Sequence, residues 1–137
     1  MRRAKAILAP VVLVLALAGC GGGDEDDVKS TLRSYLDAFA KGDGSKSCDL
    51  MTTKTRAQFV DRVKVITDTS DCGKSIEAIR KQAGTTVMKA LEETEISEVE
   101  VDGDRASAKL TNGANTSRAQ LEKEDGEWRV AAVPGTQ

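Results

Sequence analysis

The sequence predicts an α+β domain in which helices come first and cover one face of a four-stranded antiparallel sheet. Apolar residues recur with helical spacing as far as Leu91, and from Thr94 onward the period switches to two. The alternating runs are divided by Asp102-Gly103, Asn112-Gly113 and Asp125-Gly126, pairs suited to tight hairpins. A sheet with one apolar face needs a cover, and the helical half is the material this chain offers.

The first helix is expected over residues 26 to 41. Val28, Leu32, Tyr35, Leu36 and Phe39 follow one another at spacings of four, three, one and three, which gathers them on one face. Acidic residues at its start and Lys41 at its end suit the helix dipole, and Gly42 stops it. A short helical turn from Gly44 to Met51 carries Cys48. Thr53 reads as the N-cap of a third helix running to about Val65, with Phe59, Val60, Val63 and Ile66 inward. After the polar loop Thr67 to Asp71, Ile76, Ile79 and Ala83 mark another helix ending at Gly84. Val87, Met88 and Leu91 add a further turn or two.

Four strands follow. Val99 and Val101 alternate with Glu98 and Glu100, and Ala106, Ala108 and Leu110 with Ser107 and Lys109. Ala119 and Leu121 alternate with Arg118, Gln120 and Glu122, and Trp128, Val130 and Ala132 with Glu127, Arg129 and Ala131. Pro134-Gly135 ends the domain.

The N-terminus reads differently. Arg2, Arg3 and Lys5 precede thirteen residues, Ala6 to Ala18, that are apolar apart from Pro10. That run is short for a bilayer span, which needs about 20 residues, and has the order of charges and small residues of a secretory signal. Leu17-Ala18-Gly19-Cys20 resembles the lipobox of bacterial lipoproteins, in which the cysteine receives a diacylglyceryl group and becomes the first mature residue. An uncleaved anchor with an incidental cysteine is the alternative. The lipobox implies a lipid-anchored protein of the cell membrane that faces the extracytoplasmic side, with Cys20 as its membrane contact. The expected organisation is a signal at 1–19, a lipidated tether at 20–26, a domain at 27–133 and a tail at 134–137. Asp24 to Asp27 would act as an acidic spacer repelled by anionic lipid.

Composition narrows the function. Three of the 20 basic residues lie in the signal, which leaves 17 against 22 acidic ones and a formal charge of −5. Nucleic acid as a partner is disfavoured, because phosphate binding needs clustered Lys and Arg. Cys48 and Cys72 remain as an even pair in an oxidising compartment and read as a structural disulfide. Two buried free thiols are the alternative, and a redox pair is weakened by the missing Cys-x-x-Cys spacing.

The opening helix with its Tyr35-Leu-x-Ala-Phe39 pattern, the stretch Val99 to Ala106 and the closing hairpin Leu121 to Val130 are similar to the nuclear transport factor 2-like, or SnoaL-like, superfamily. The resemblance spans about residues 27 to 133. It implies a strongly curved sheet with helices in its mouth, a cone, and a paired Cys48 and Cys72 as in lipoprotein members. It also implies that a homodimer could form through the outer sheet face, populated here by Arg118, Glu122, Glu127 and Arg129. Tyr35, Phe39, Phe59 and Trp128 are the candidate cavity-lining residues.

Each candidate has a plainer reading. Tyr35 is a helix-borne phenol like that of steroid isomerases, but no inward strand position carries an acid to serve as base. Trp128 could stack on a ligand, although its place in the alternation makes it core. Asp37 and Asp61 read as solvated. Asp24 to Asp27 lacks the spacing of a calcium loop. Two cysteines and no histidine cannot complete a thiolate or imidazole metal site, so no metal or cofactor is expected. The missing histidine also removes the side chain best matched to proton transfer near neutral pH. The expectation is a non-catalytic binding or assembly module of the cell envelope, taking a small apolar ligand or an envelope protein. The rival is a small-substrate enzyme of isomerase or dehydratase type using the cone.

Overall fold

A computed structural model describes residues 22–133. The signal segment, Cys20 with its expected lipid, and the tail 134–137 lie outside the described residues.

Four helices precede four strands: α1 (Gly22–Lys41), α2 (Gly44–Asp49), α3 (Thr53–Thr67) and α4 (Cys72–Glu92), then β1 (Glu95–Asp102), β2 (Arg105–Asn112), β3 (Asn115–Glu124) and β4 (Glu127–Ala132). The strands form one antiparallel sheet in the order β1-β2-β3-β4. The helices cover its apolar face, as the sequence predicts. Ala106, Ala108, Leu110, Ala119, Leu121, Trp128 and Val130 are all buried from the sheet side, opposite Val28, Leu32, Leu36 and Ile76.

The starts of α2, α3 and α4 are each capped by a side-chain oxygen, the usual answer to orphan N–H groups. Asp43 accepts from the Lys46 N–H, and Asp71 from the Lys74 N–H at 2.8 Å. The cap of α3 is Thr52, one residue before the expected Thr53, because the Thr52 hydroxyl takes the Thr55 N–H at 3.1 Å.

The main departure is at α1, which begins at Gly22 rather than near residue 26. Asp24 and Glu25 occupy its first turn, where carboxylates favour the dipole. Asp24 is also tied to the sheet by Lys123 and Trp128. The acidic run is therefore a docked helix start, and residues 22–26 belong to the helical domain rather than to a free spacer. Ile66 is a second departure. It is 60% exposed at the end of α3, past the last buried residue of that helix, Val63. Gly84, with φ 80° and ψ 172°, breaks α4 where the expected helix end lies, a conformation open to glycine.

The hairpins explain the register. Asp125 and Gly126 both hold positive φ, the requirement of a two-residue type I′ turn. Bulges disturb β1 between Ser97 and Glu100 and the β3–β4 pairing between Gln120 and Leu121. Such bulges bend the strands that carry them. The free edge of β4 is covered by the α2–α3 link: the Thr52 N–H donates to the Val130 carbonyl at 3.0 Å, and the Val130 N–H to the Leu50 carbonyl at 2.7 Å. This bridge occupies the middle of the β4 edge, where it obstructs pairing with another chain.

Candidate functional site

Helices and sheet enclose a cavity of 440 Å³, inside the ~300–1,000 Å³ range of small-molecule sites. Tyr35 and Phe39 of α1, Phe59 and Val63 of α3, Met88 of α4 and Leu110 of β2 supply its apolar wall. Local geometry explains these contributions. Thr55, Gln58, Phe59, Arg62 and Val63 form one stripe of α3 at helical spacing. The turns of α4 after the Gly84 break bring in Val87, Met88 and Leu91. The rings of Tyr35 and Phe39 meet at 6.3 Å in a tilted arrangement.

The structure thus brings together three of the four expected lining residues. Trp128 is not among them. It is buried at the other end of α1, where Lys123 pairs with it across β3 and β4. There the Trp128 indole N–H donates to Asp24 at 3.3 Å, and the Lys123 ammonium lies 3.0 Å from the same carboxylate and 5.0 Å from the indole ring. Hydrogen bonds from Lys123 and Trp128 hold the Asp24 carboxyl below the usual carboxylate range. Alternation places Trp128 on the inner face correctly, but cannot say which end of the sheet it serves.

The polar groups of the cavity were not foreseen. Asn112 and Asn115 flank the β2–β3 turn and Ser117 follows in β3. Asn112 is occupied, since its amide donates to the carbonyl of Ala90 and to the Thr94 hydroxyl. The Tyr35 hydroxyl has no hydrogen-bond partner among the described residues, and it is not a sealed polar atom either. Tyr35 is one of the residues that line the cavity. Burial raises the Tyr35 phenol well above its ordinary pKa, so it stays a neutral donor.

Arg62 is the lone charged residue of the lining, and it is exposed, which places it at the mouth. The other described arginines all have partners. Arg33 and Arg80 donate to carbonyls at the ends of α4 and α1, and Arg129 to the Asp49 carbonyl ending α2. Arg56, Arg105 and Arg118 pair with Asp49, Glu122 and Glu100. Arg62 has neither a hydrogen bond nor an ion pair among the described residues. The readable signal was its place on the stripe with Phe59 and Val63.

Asp37 pairs with Arg33 at 3.6 Å and Asp61 with Lys64 at 3.4 Å, both on the surface. Glu124 receives the Thr53 hydroxyl at 2.6 Å and the Thr53 N–H, bonds that lower its pKa. Cys48 and Cys72 form the disulfide, joining α2 to the first turn of α4 with Cα atoms 6.2 Å apart. The outer sheet face carries Arg118, Glu122, Glu127 and Arg129, each engaged in an ion pair within this chain.

No described helix is long and apolar enough to cross a membrane. No protein family, no curated protein and no solved structure matches the chain.

Proposed function

We propose that this protein is a lipoprotein held by Cys20 on the extracytoplasmic side of the cell membrane, and that its domain binds a small apolar ligand without converting it. The observation that carries the reading is the 440 Å³ cavity with its apolar wall. Helices followed by an antiparallel meander around a hollow also suit the nuclear transport factor 2-like arrangement that the sequence resembles. An apolar wall with few polar marks favours a ligand that leaves water for the cavity. The Tyr35 hydroxyl is one donor that would fix an oxygen of it.

A second reading, a small-substrate enzyme, draws on the same phenol. It lacks a base: the described lining holds no carboxylate and the chain no histidine.

Native mass spectrometry of the full chain, released from membranes in mild detergent, tests both halves of the proposal. The expected species begins at Cys20, carries the mass of a diacylglyceryl group and retains a small apolar molecule. A chain with its first nineteen residues still attached and no lipid sinks the anchor. A lipidated chain that takes up no apolar compound sinks the binding role.

A further inference from the structure

The cavity has a polarity along its length. Its wall is apolar, while its mouth carries a single cation, Arg62, with no carboxylate in the described lining to oppose it. Every other described arginine is committed to a carbonyl or a carboxylate within the fold, whereas Arg62 is not. Val87 also lines the cavity and is 47% exposed. The lining therefore carries both exposed apolar surface and an unpartnered guanidinium, and Gln58 lies one turn before Arg62 on the same stripe of α3.

Resting on the reading of the cavity as a binding site, the geometry points to a fatty carboxylate as its ligand: one alkyl chain in the hollow and a monoanionic head on Arg62 at the mouth. A guanidinium matches a carboxylate with two parallel N–H···O bonds. One cation balances one negative charge, which favours a carboxylate over the dianionic head of a phosphate monoester. A cavity of 440 Å³ suits one alkyl chain rather than the two of a membrane phospholipid. The overall acidity of the domain does not reverse this, because screening confines the effect of exposed charges to about 10 Å or less.

The test uses the full chain in nanodiscs of zwitterionic lipid, with empty discs as the blank. Binding of decanoate, decanol and decyltrimethylammonium is measured by equilibrium dialysis at a pH where the carboxylate is ionised. Decanoate should bind more tightly than decanol, and the cationic amphiphile more weakly than either. Arg62→Gln should weaken decanoate by roughly tenfold, the size of a lost charge-assisted hydrogen bond, and leave decanol unchanged. Arg62→Lys should keep the preference for the anion. Val87→Trp, at an exposed position of the lining, should weaken both decanoate and decanol by narrowing the cavity.

Equal binding of decanoate and decanol, or a preference unchanged in Arg62→Gln, overturns the carboxylate while leaving the cavity a binding site. Decanoate binding untouched by Val87→Trp overturns its placement in the cavity. If neither decanoate nor decanol binds above the blank, the binding role itself fails, and the choice of ligand with it.

Discussion

Gly44 and Gly73 pack backbone to backbone where α2 meets α4: a Cβ on Gly44 would lie 2.3 Å from the Gly73 carbonyl oxygen. The contact sits beside the Cys48–Cys72 bridge, so bond and packing hold the same junction. Backbone cannot move aside as a flexible side chain can. Gly44→Ala should therefore destabilise by about 1–3 kcal/mol, the usual cost of overpacking. Gly73→Ala should cost less, since its nearest neighbour would be the Ser45 nitrogen at 3.3 Å. Urea unfolding of the two variants gives the order, and a milder effect for Gly44→Ala would refute the argument.

The disulfide spans 24 residues of sequence. On the chain-entropy account, closing such a loop stabilises by roughly 3 kcal/mol. The double variant Cys48→Ala/Cys72→Ala should lose about that much in chemical denaturation. Wild-type chain treated with reductant should approach the same midpoint, while the double variant should not respond to reductant.

Leu32 is 0% exposed at the centre of the α1 stripe, whereas Val65 is 82% exposed on α3. Leu32→Ala should cost about 2–5 kcal/mol through lost burial and the cavity left behind. Val65→Ala should stay within about 0.5 kcal/mol. Comparable losses in thermal melts would mean that one of the two faces is wrongly placed.

Asp24 and Glu124 both titrate lower in the folded chain than in the unfolded one, through the bonds from Lys123 and Trp128 and from Thr53. As pH falls, the unfolded state therefore takes up protons first. The contribution of these groups is complete above the ordinary carboxylate range, near about pH 4, and is lost as pH drops through the lower folded-state values. Melting temperature followed into acid should fall less steeply for Asp24→Asn and for Glu124→Gln than for wild type. Parallel acid limbs would show that these bonds do not persist in solution.

Tyr35 has the opposite sign. Burial raises its phenol in the folded chain, so above about pH 10 the unfolded state ionises while the folded one does not. Its contribution is present below that pH and is lost as pH rises. Tyr35→Phe should flatten the alkaline limb, and absorbance of the folded chain should show no phenolate until it unfolds. This is the chain's lone tyrosine, so the signal is unambiguous.

Much of the fold was written in local spacing. The stripe from Val28 to Phe39, the alternation from Ala106 to Leu110 and the Asp125-Gly126 turn each depend on residues a few positions apart. Backbone geometry converts such patterns directly into faces and turns. The odd-man-out Cys20 left Cys48 and Cys72 as a pair, and they are bonded. The break at Gly84 was legible for the same reason, since glycine both ends a periodic run and tolerates the backbone found there.

What tertiary structure alone decided is where separate faces meet. Asp24 belongs to α1 because Lys123 and Trp128, about a hundred positions on, hold it. Its acidic neighbours gave no local sign of this. Trp128 left the expected cavity for the same contact, since alternation sets the face of a strand and not the end of the sheet it reaches. Arg62 looked like any surface arginine until α3, the end of α4 and the β2–β3 turn closed around a hollow and left it without a partner. Spacing determines which side of an element is apolar. Whether the opposed sides fill or enclose a space depends on long-range packing distances, which no local pattern contains.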